Sequence, residues 1–74
     1  MALEVITSPL PGKILGIKVK PGQKVKEGDL LLIIEAMKME NEIVAPVSGT
    51  VASVSVAAEA TVQIGDDLIS IEEA

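Results

Sequence analysis

The sequence predicts an all-β fold made of two equivalent halves, each with four short strands. Three observations carry this expectation: a gapless internal repeat, a period of two in the apolar residues, and Gly- and Pro-containing dipeptides between the apolar runs. Pro9 to Glu35 aligns on Pro46 to Glu72 at a constant offset of 37. The identities run through both copies: Pro9/Pro46, Gly12/Gly49, Val19/Val56, Val25/Val62, Gly28/Gly65, Asp29/Asp66, Leu31/Leu68, Ile34/Ile71 and Glu35/Glu72. Ile14/Val51 and Ile17/Val54 match conservatively. A solenoid needs about three or more repeats to bury its faces, so two copies are expected to complete one core about a pseudo-twofold axis.

Taken in order, the first copy opens with a strand over Glu4 to Thr7, followed by one over Lys13 to Val19, where Ile17 and Val19 face one way and Lys18 the other. A short strand at Lys24-Val25 lies between the turn signals Pro21-Gly22 and Gly28-Asp29. The apolar run from Leu30 begins a strand that reaches Met37. The second copy repeats the scheme over Met39 to Ala45, Thr50 to Val56, Thr61-Val62 and Leu68 to Glu72, with Val54 and Val56 inward and Ser55 outward. Ile14, Ile17 and Val19, with Val51, Val54 and Val56, are the expected shared core. The competing reading is a helix over Leu30 to Ile43, since Leu, Glu, Ala, Met and Lys are good helix formers. Against it, Leu30 to Ile34 is apolar all round where a surface helix would show a stripe, and its repeat partner Leu68 to Ile71 has the character of a strand.

Composition narrows the chemistry. The chain has 74 residues, which accommodates one domain over 1–74, and 49% of them are hydrophobic although Phe, Trp and Tyr are absent. Without Cys or His there is no disulfide framework, no thiolate nucleophile, no imidazole base and no ordinary zinc ligand set. The longest apolar run is far below the roughly 18 residues that cross a bilayer. No basic-then-apolar leader pattern opens the chain, and the expectation is a soluble, cytoplasmic protein with no direct membrane insertion. The net charge of −5 divides into +2 over residues 1–38 and −7 over residues 39–74. Overall negative charge and the lack of aromatic rings argue against a nucleic acid partner.

Between the copies lies Ala36 to Ala45, which puts Lys38 where the last strand of one half reverses into the first strand of the next. Lys38 is the single Lys of this joint, flanked by Met37 and Met39 and then by Glu35, Glu40, Asn41 and Glu42. A lysine that accepts a covalent group needs exposure, freedom from competing amines and a stiff support, and a hairpin tip supplies all three. The plainer reading makes Lys38 a solubilising turn residue and the two Met residues core. At a tip, however, Met37 and Met39 have little to bury against, and Met is common on surfaces that adapt to partners. Glu40 and Glu42 alternate on one strand and are read as solvated charges, with no second constellation to make an acid–base site.

Glu35-Ala36-Met37-Lys38-Met39-Glu40-Asn41 resembles the signature of biotinyl domains, the biotin carboxyl carrier family. Ser8 to Gly12, Val19 to Asp29 and Ala45 to Val51 are similar to the family's turns, and the resemblance covers about residues 5–72. It implies a flattened barrel, the barrel-sandwich hybrid, of two four-stranded antiparallel sheets. It further implies a non-catalytic carrier in which biotin is attached covalently to Lys38, with Ala36, Met37 and Met39 forming the motif read by a biotin protein ligase. The implied partners are biotin carboxylase and carboxyltransferase or decarboxylase subunits, between whose sites a carboxyl group is carried. Lipoyl domains share the architecture but place their lysine in an Asp-Lys-Ala-like setting, and unmodified interaction domains of this shape also occur; these are the two alternatives. One departure is Glu59, standing where the second half of the family commonly has a Gly equivalent to Gly22; a turn of another type is expected at Ala57 to Ala60.

Overall fold

The computed structural model describes residues 2–74; Met1, the first residue of the domain expected over 1–74, lies outside the described residues. Eight strands follow in chain order: β1 (Leu3–Thr7), β2 (Gly12–Ile17), β3 (Lys24–Val25), β4 (Leu30–Ala36), β5 (Met39–Val44), β6 (Gly49–Val54), β7 (Thr61–Val62) and β8 (Asp67–Glu73). Leu30 to Ile43 is therefore two strands and the turn between them, not a helix. No helix among the described residues is long and apolar enough to cross a membrane.

The strands form two four-stranded antiparallel sheets, ordered β1-β8-β6-β3 and β5-β4-β2-β7. Shifting residue numbers by 37 turns one sheet into the other. The hydrogen bonds outside the strands obey the same operation. The Gly22 N–H donates to the Val51 carbonyl at 2.8 Å, and the Glu59 N–H donates to the Ile14 carbonyl at 2.7 Å. The Lys26 N–H donates to Asp29 Oδ2 at 2.8 Å, and the Gln63 N–H to Asp66 Oδ2 at 2.9 Å. The internal repeat is thus a structural pseudo-twofold in which each sheet takes two strands from each half.

The core lies mainly along β4 and β8, one central strand of each sheet. Leu31, Leu32 and Ile34 of β4 and Leu68, Ile69 and Ile71 of β8 are fully buried, joined by Ile14 of β2 and Val51 of β6. Consecutive buried residues break strict alternation because the register slips at each: β4 shifts against β5 between Leu30 and Leu32, and β8 shifts against β1 between Ile69 and Asp67. The extra residue of each bulge, Leu31 or Leu68, turns inward beside its neighbour. Of the expected core, Ile14, Val19 and Val51 are buried, whereas Ile17, Val54 and Val56 pack against the core only in part. Ile17 and Val54 are the last residues of β2 and β6, and Val56 lies beyond the end of β6.

Gly12 and Gly49 begin β2 and β6 and serve close packing. A Cβ on Gly12 would stand 2.5 Å from the Glu35 carbonyl oxygen and 2.6 Å from Ile34 Cγ2, and one on Gly49 would strike the Glu72 carbonyl, the symmetry equivalent. Backbone cannot yield locally to such a contact, so Gly12→Ala is expected to destabilise the fold by about 1–3 kcal/mol, measured as a lowered urea midpoint with unchanged slope.

Candidate functional site

β4 and β5 form a hairpin whose paired ends are Ala36 and Met39, leaving a two-residue turn of Met37 and Lys38. Both turn residues have positive φ, 54° and 65°, as a type I′ turn requires. This turn matches the right-handed twist of paired strands, but it ordinarily employs Asn and Gly, and a residue with a full side chain there costs of the order of 1 kcal/mol. The hairpin below holds the geometry: seven-residue β4 is paired on both sides, with β5 and with β2.

The side chains expected to matter fall as follows. Lys38 is exposed at the second turn position. Met37 is 93% exposed and Met39 66% exposed, so neither is core, and Ala36 is half-buried at the end of β4. Glu40 lies opposite Glu35, and Glu42 opposite Ile33, on the outer face of the hairpin; Asn41 opposite Ile34 and Ile43 opposite Leu32 take the inner face. Like charges placed directly across a ladder are mildly unfavourable, and here both are exposed and screened. Asn41 supports the hairpin, its Nδ2 donating long hydrogen bonds to the Ile34 carbonyl at 3.4 Å and the Met39 carbonyl at 3.3 Å. Its supporting role was not read from the sequence, although an Asn in a strand, where it is a poor former, was the available signal.

The pseudo-twofold places another pair at the position equivalent to the hairpin tip. Shifted by 37, Ala36 and Met39 correspond to Glu73 and Ala2, and the Glu73 N–H donates to the Ala2 carbonyl at 2.7 Å. The two ends of the described chain are joined where the other half has its turn. The described residues enclose no pocket. The candidate site is an exposed hairpin turn.

Beside the hairpin, β2 places Lys13 opposite Glu35, and Lys13 Nζ pairs with Glu59 Oε1 at 3.4 Å. Glu59 has a φ of 73°, which corrects the expectation of a different turn type. Ala57 to Ala60 repeats the turn of Lys20 to Gln23, where Gly22 has a φ of 91°. The reason is that the Glu59 N–H and the Ala60 carbonyl both bond to Ile14, as their equivalents bond to Val51, and this leaves the backbone one conformation. Left-handed geometry in a Glu costs roughly 1–2 kcal/mol, more than an exposed ion pair returns. Glu59→Gly is accordingly expected to raise stability by about 1 kcal/mol after the greater chain entropy of Gly is deducted. Glu59→Gln, which keeps the strain and removes the charge, is expected to leave the unfolding free energy within about 0.5 kcal/mol of the parent, measured by urea denaturation.

Residues 4–71 match the biotin–lipoyl family model, described as "Biotin-requiring enzyme". The chain is 49% identical over 70 residues to a biotin carboxyl carrier protein of Streptococcus mutans, covering 95% of this chain and 54% of that protein. It is 66% identical over 38 residues to the gamma subunit of glutaconyl-CoA decarboxylase of Acidaminococcus fermentans, covering 51% of this chain and 26% of that one. Among solved structures, a single-chain, multi-domain long-chain acyl-CoA carboxylase superposes with a TM-score of 0.91 at 25% identity, over 97% of this chain and 7% of that one. The chain thus spans about half the length of the carrier protein it matches and smaller parts of the others.

Proposed function

The chain belongs to the family of biotin-requiring enzymes, and from that premise we propose that residues 1–74 form one carrier domain with Lys38 as its biotin attachment point. Ala36, Met37 and Met39 are the surface that a biotin protein ligase reads. The observation that carries the assignment is position: all six lysines are exposed, but Lys38 alone stands in the two-residue turn of a long hairpin. A primary amine presented in this way, shielded by no neighbouring element, fits attack on the carboxyl carbon of biotin once the ligase has activated that carboxylate; the N–C bond forms as the activating group leaves and the amine gives up its proton.

On amide formation the Lys38 Nζ loses its proton and its charge, so the hairpin becomes more acidic. Bound biotin supplies the means to carry a carboxyl group. The chain supplies the rest: a flexible lysine stem for reach, a stiff β4–β5 ladder that limits where the stem starts, and a narrow tip without a binding pocket of its own. Tethering raises the local concentration of a carried group to the order of millimolar for short flexible links. The partners proposed are a biotin carboxylase and a carboxyltransferase or decarboxylase. The domain itself contributes no catalytic group, and the chemistry resides in the cofactor and these partners. The lipoyl reading is weaker, because Met flanks Lys38 on both sides and the relatives named above are a carboxyl carrier protein, a decarboxylase and a carboxylase.

Intact-mass measurement tests the cofactor. Incubation with a biotin protein ligase and its substrates is expected to add one biotinyl group per chain, and incubation with a lipoate ligase to add nothing. One lipoyl group and no biotin would reverse the assignment.

A further inference from the structure

The chain has no Cys, His, Trp or Tyr, so thioethers are the side chains that a peroxide oxidises readily. Two of its three Met residues, Met37 and Met39, lie on either side of Lys38, and both are largely exposed, at 93% and 66%. Met37 is in the turn itself, just beyond the end of β4. The fold does not account for this exposure, because the core is complete without either residue. We propose that Met37 and Met39 are a peroxide-sensitive modification site that governs attachment at Lys38. The inference rests on the reading of Lys38 as the biotin acceptor.

The chemistry is oxygen transfer. The thioether sulfur attacks one oxygen of the peroxide, the O–O bond breaks, and an S–O bond forms. Sulfur is oxidised by two electrons, and the peroxide is reduced to water or, for an organic peroxide, to an alcohol, with the proton shift completed through solvent. The product is polar and chiral, and a sulfoxide reductase returns it to Met. Oxidation is expected to leave the fold intact, since both residues are largely exposed and lie outside the core. It changes the surface that the ligase must cover: a soft apolar contact becomes a strong acceptor whose burial without a donor costs affinity. One such unpaired acceptor corresponds to about a tenfold loss in ligation efficiency.

The test uses the full chain treated with hydrogen peroxide, then freed of peroxide before ligase is added. Peptide mapping is expected to show sulfoxide at Met37 first and Met39 second, in order of exposure, while the far-ultraviolet circular dichroism stays unchanged. Biotin incorporation at Lys38 is expected to fall about tenfold and to recover after treatment with methionine sulfoxide reductases. A Met37→Leu/Met39→Leu chain, whatever its own rate, is expected to keep that rate through peroxide treatment. Equal biotinylation of the untreated chain and of the chain oxidised at both Met residues would overturn the inference and leave Lys38 as the acceptor. Absence of biotin from the untreated chain would instead remove the reading on which it rests.

Discussion

Lys38→Arg is expected to abolish biotin attachment altogether while leaving the fold intact. Arginine keeps the positive charge and much of the stem, but its guanidinium does not act as an acyl acceptor at neutral pH. The substitution is in an exposed turn, so stability should stay within about 0.5 kcal/mol of the parent. Five lysines remain, at positions 13, 18, 20, 24 and 26, and all are exposed. None stands in the turn of a long hairpin: Lys13 lies within β2 and pairs with Glu59, Lys24 opens the short edge strand β3, and the others are in connecting segments. Mass spectrometry after exhaustive ligation decides the matter. A biotinyl group mapped to any of these five in the Lys38→Arg chain would show that exposure of an amine suffices and that hairpin presentation does not select the site.

Val51→Asp is expected to unfold both halves together. Val51 is almost wholly buried on β6, a central strand, and an unpaired carboxylate there costs about 4 kcal/mol or more. A domain of this size has a total stability of the same order. The topology makes the loss global. β1 pairs with β8, β3 with β6, β4 with β5 and β2 with β7, and each of these ladders joins one half to the other. The ladders within a half are β2 with β4 and β6 with β8. A half left alone would be a hairpin-like piece with two stray strands, and such pieces are marginal in water. Hydrogen exchange provides the readout, because amides of Gly12–Ile17 and Gly49–Val54 should lose protection in parallel. Persistent protection of β2 in a chain whose β6 exchanges freely would mean that the halves are independent.

Some of this architecture was legible residue by residue. The dipeptides Pro21-Gly22 and Gly28-Asp29 and the offset of 37 placed all eight strands within a few residues of their observed bounds, although Val19 and Val56, read as strand residues, lie just past the ends of β2 and β6. The offset also anticipated the pseudo-twofold that exchanges hydrogen bonds between Gly22 and Val51 and between Glu59 and Ile14. The joint between the copies located Lys38 at a reversal, and the residues around it located Met37 and Met39 on the surface.

Three features came only with the assembled sheets. The central core along β4 and β8 depends on bulges at Leu31 and Leu68, which arise from how each strand is paired and not from its own pattern. The roles of Gly12 and Gly49 depend on carbonyls at Glu35 and Glu72, more than twenty residues away in the chain. The left-handed backbone of Glu59, for which the sequence suggested another turn, is imposed by its bonds to Ile14. By itself, then, the sequence determined the strands, their twofold repetition and the lysine at their junction, because these are encoded in neighbours one or two residues apart or in a fixed offset. Tertiary structure decided which strands pair, where the register slips and which residues bear strain, because those depend on contacts between segments distant in the chain, whose backbone groups must all find partners at once.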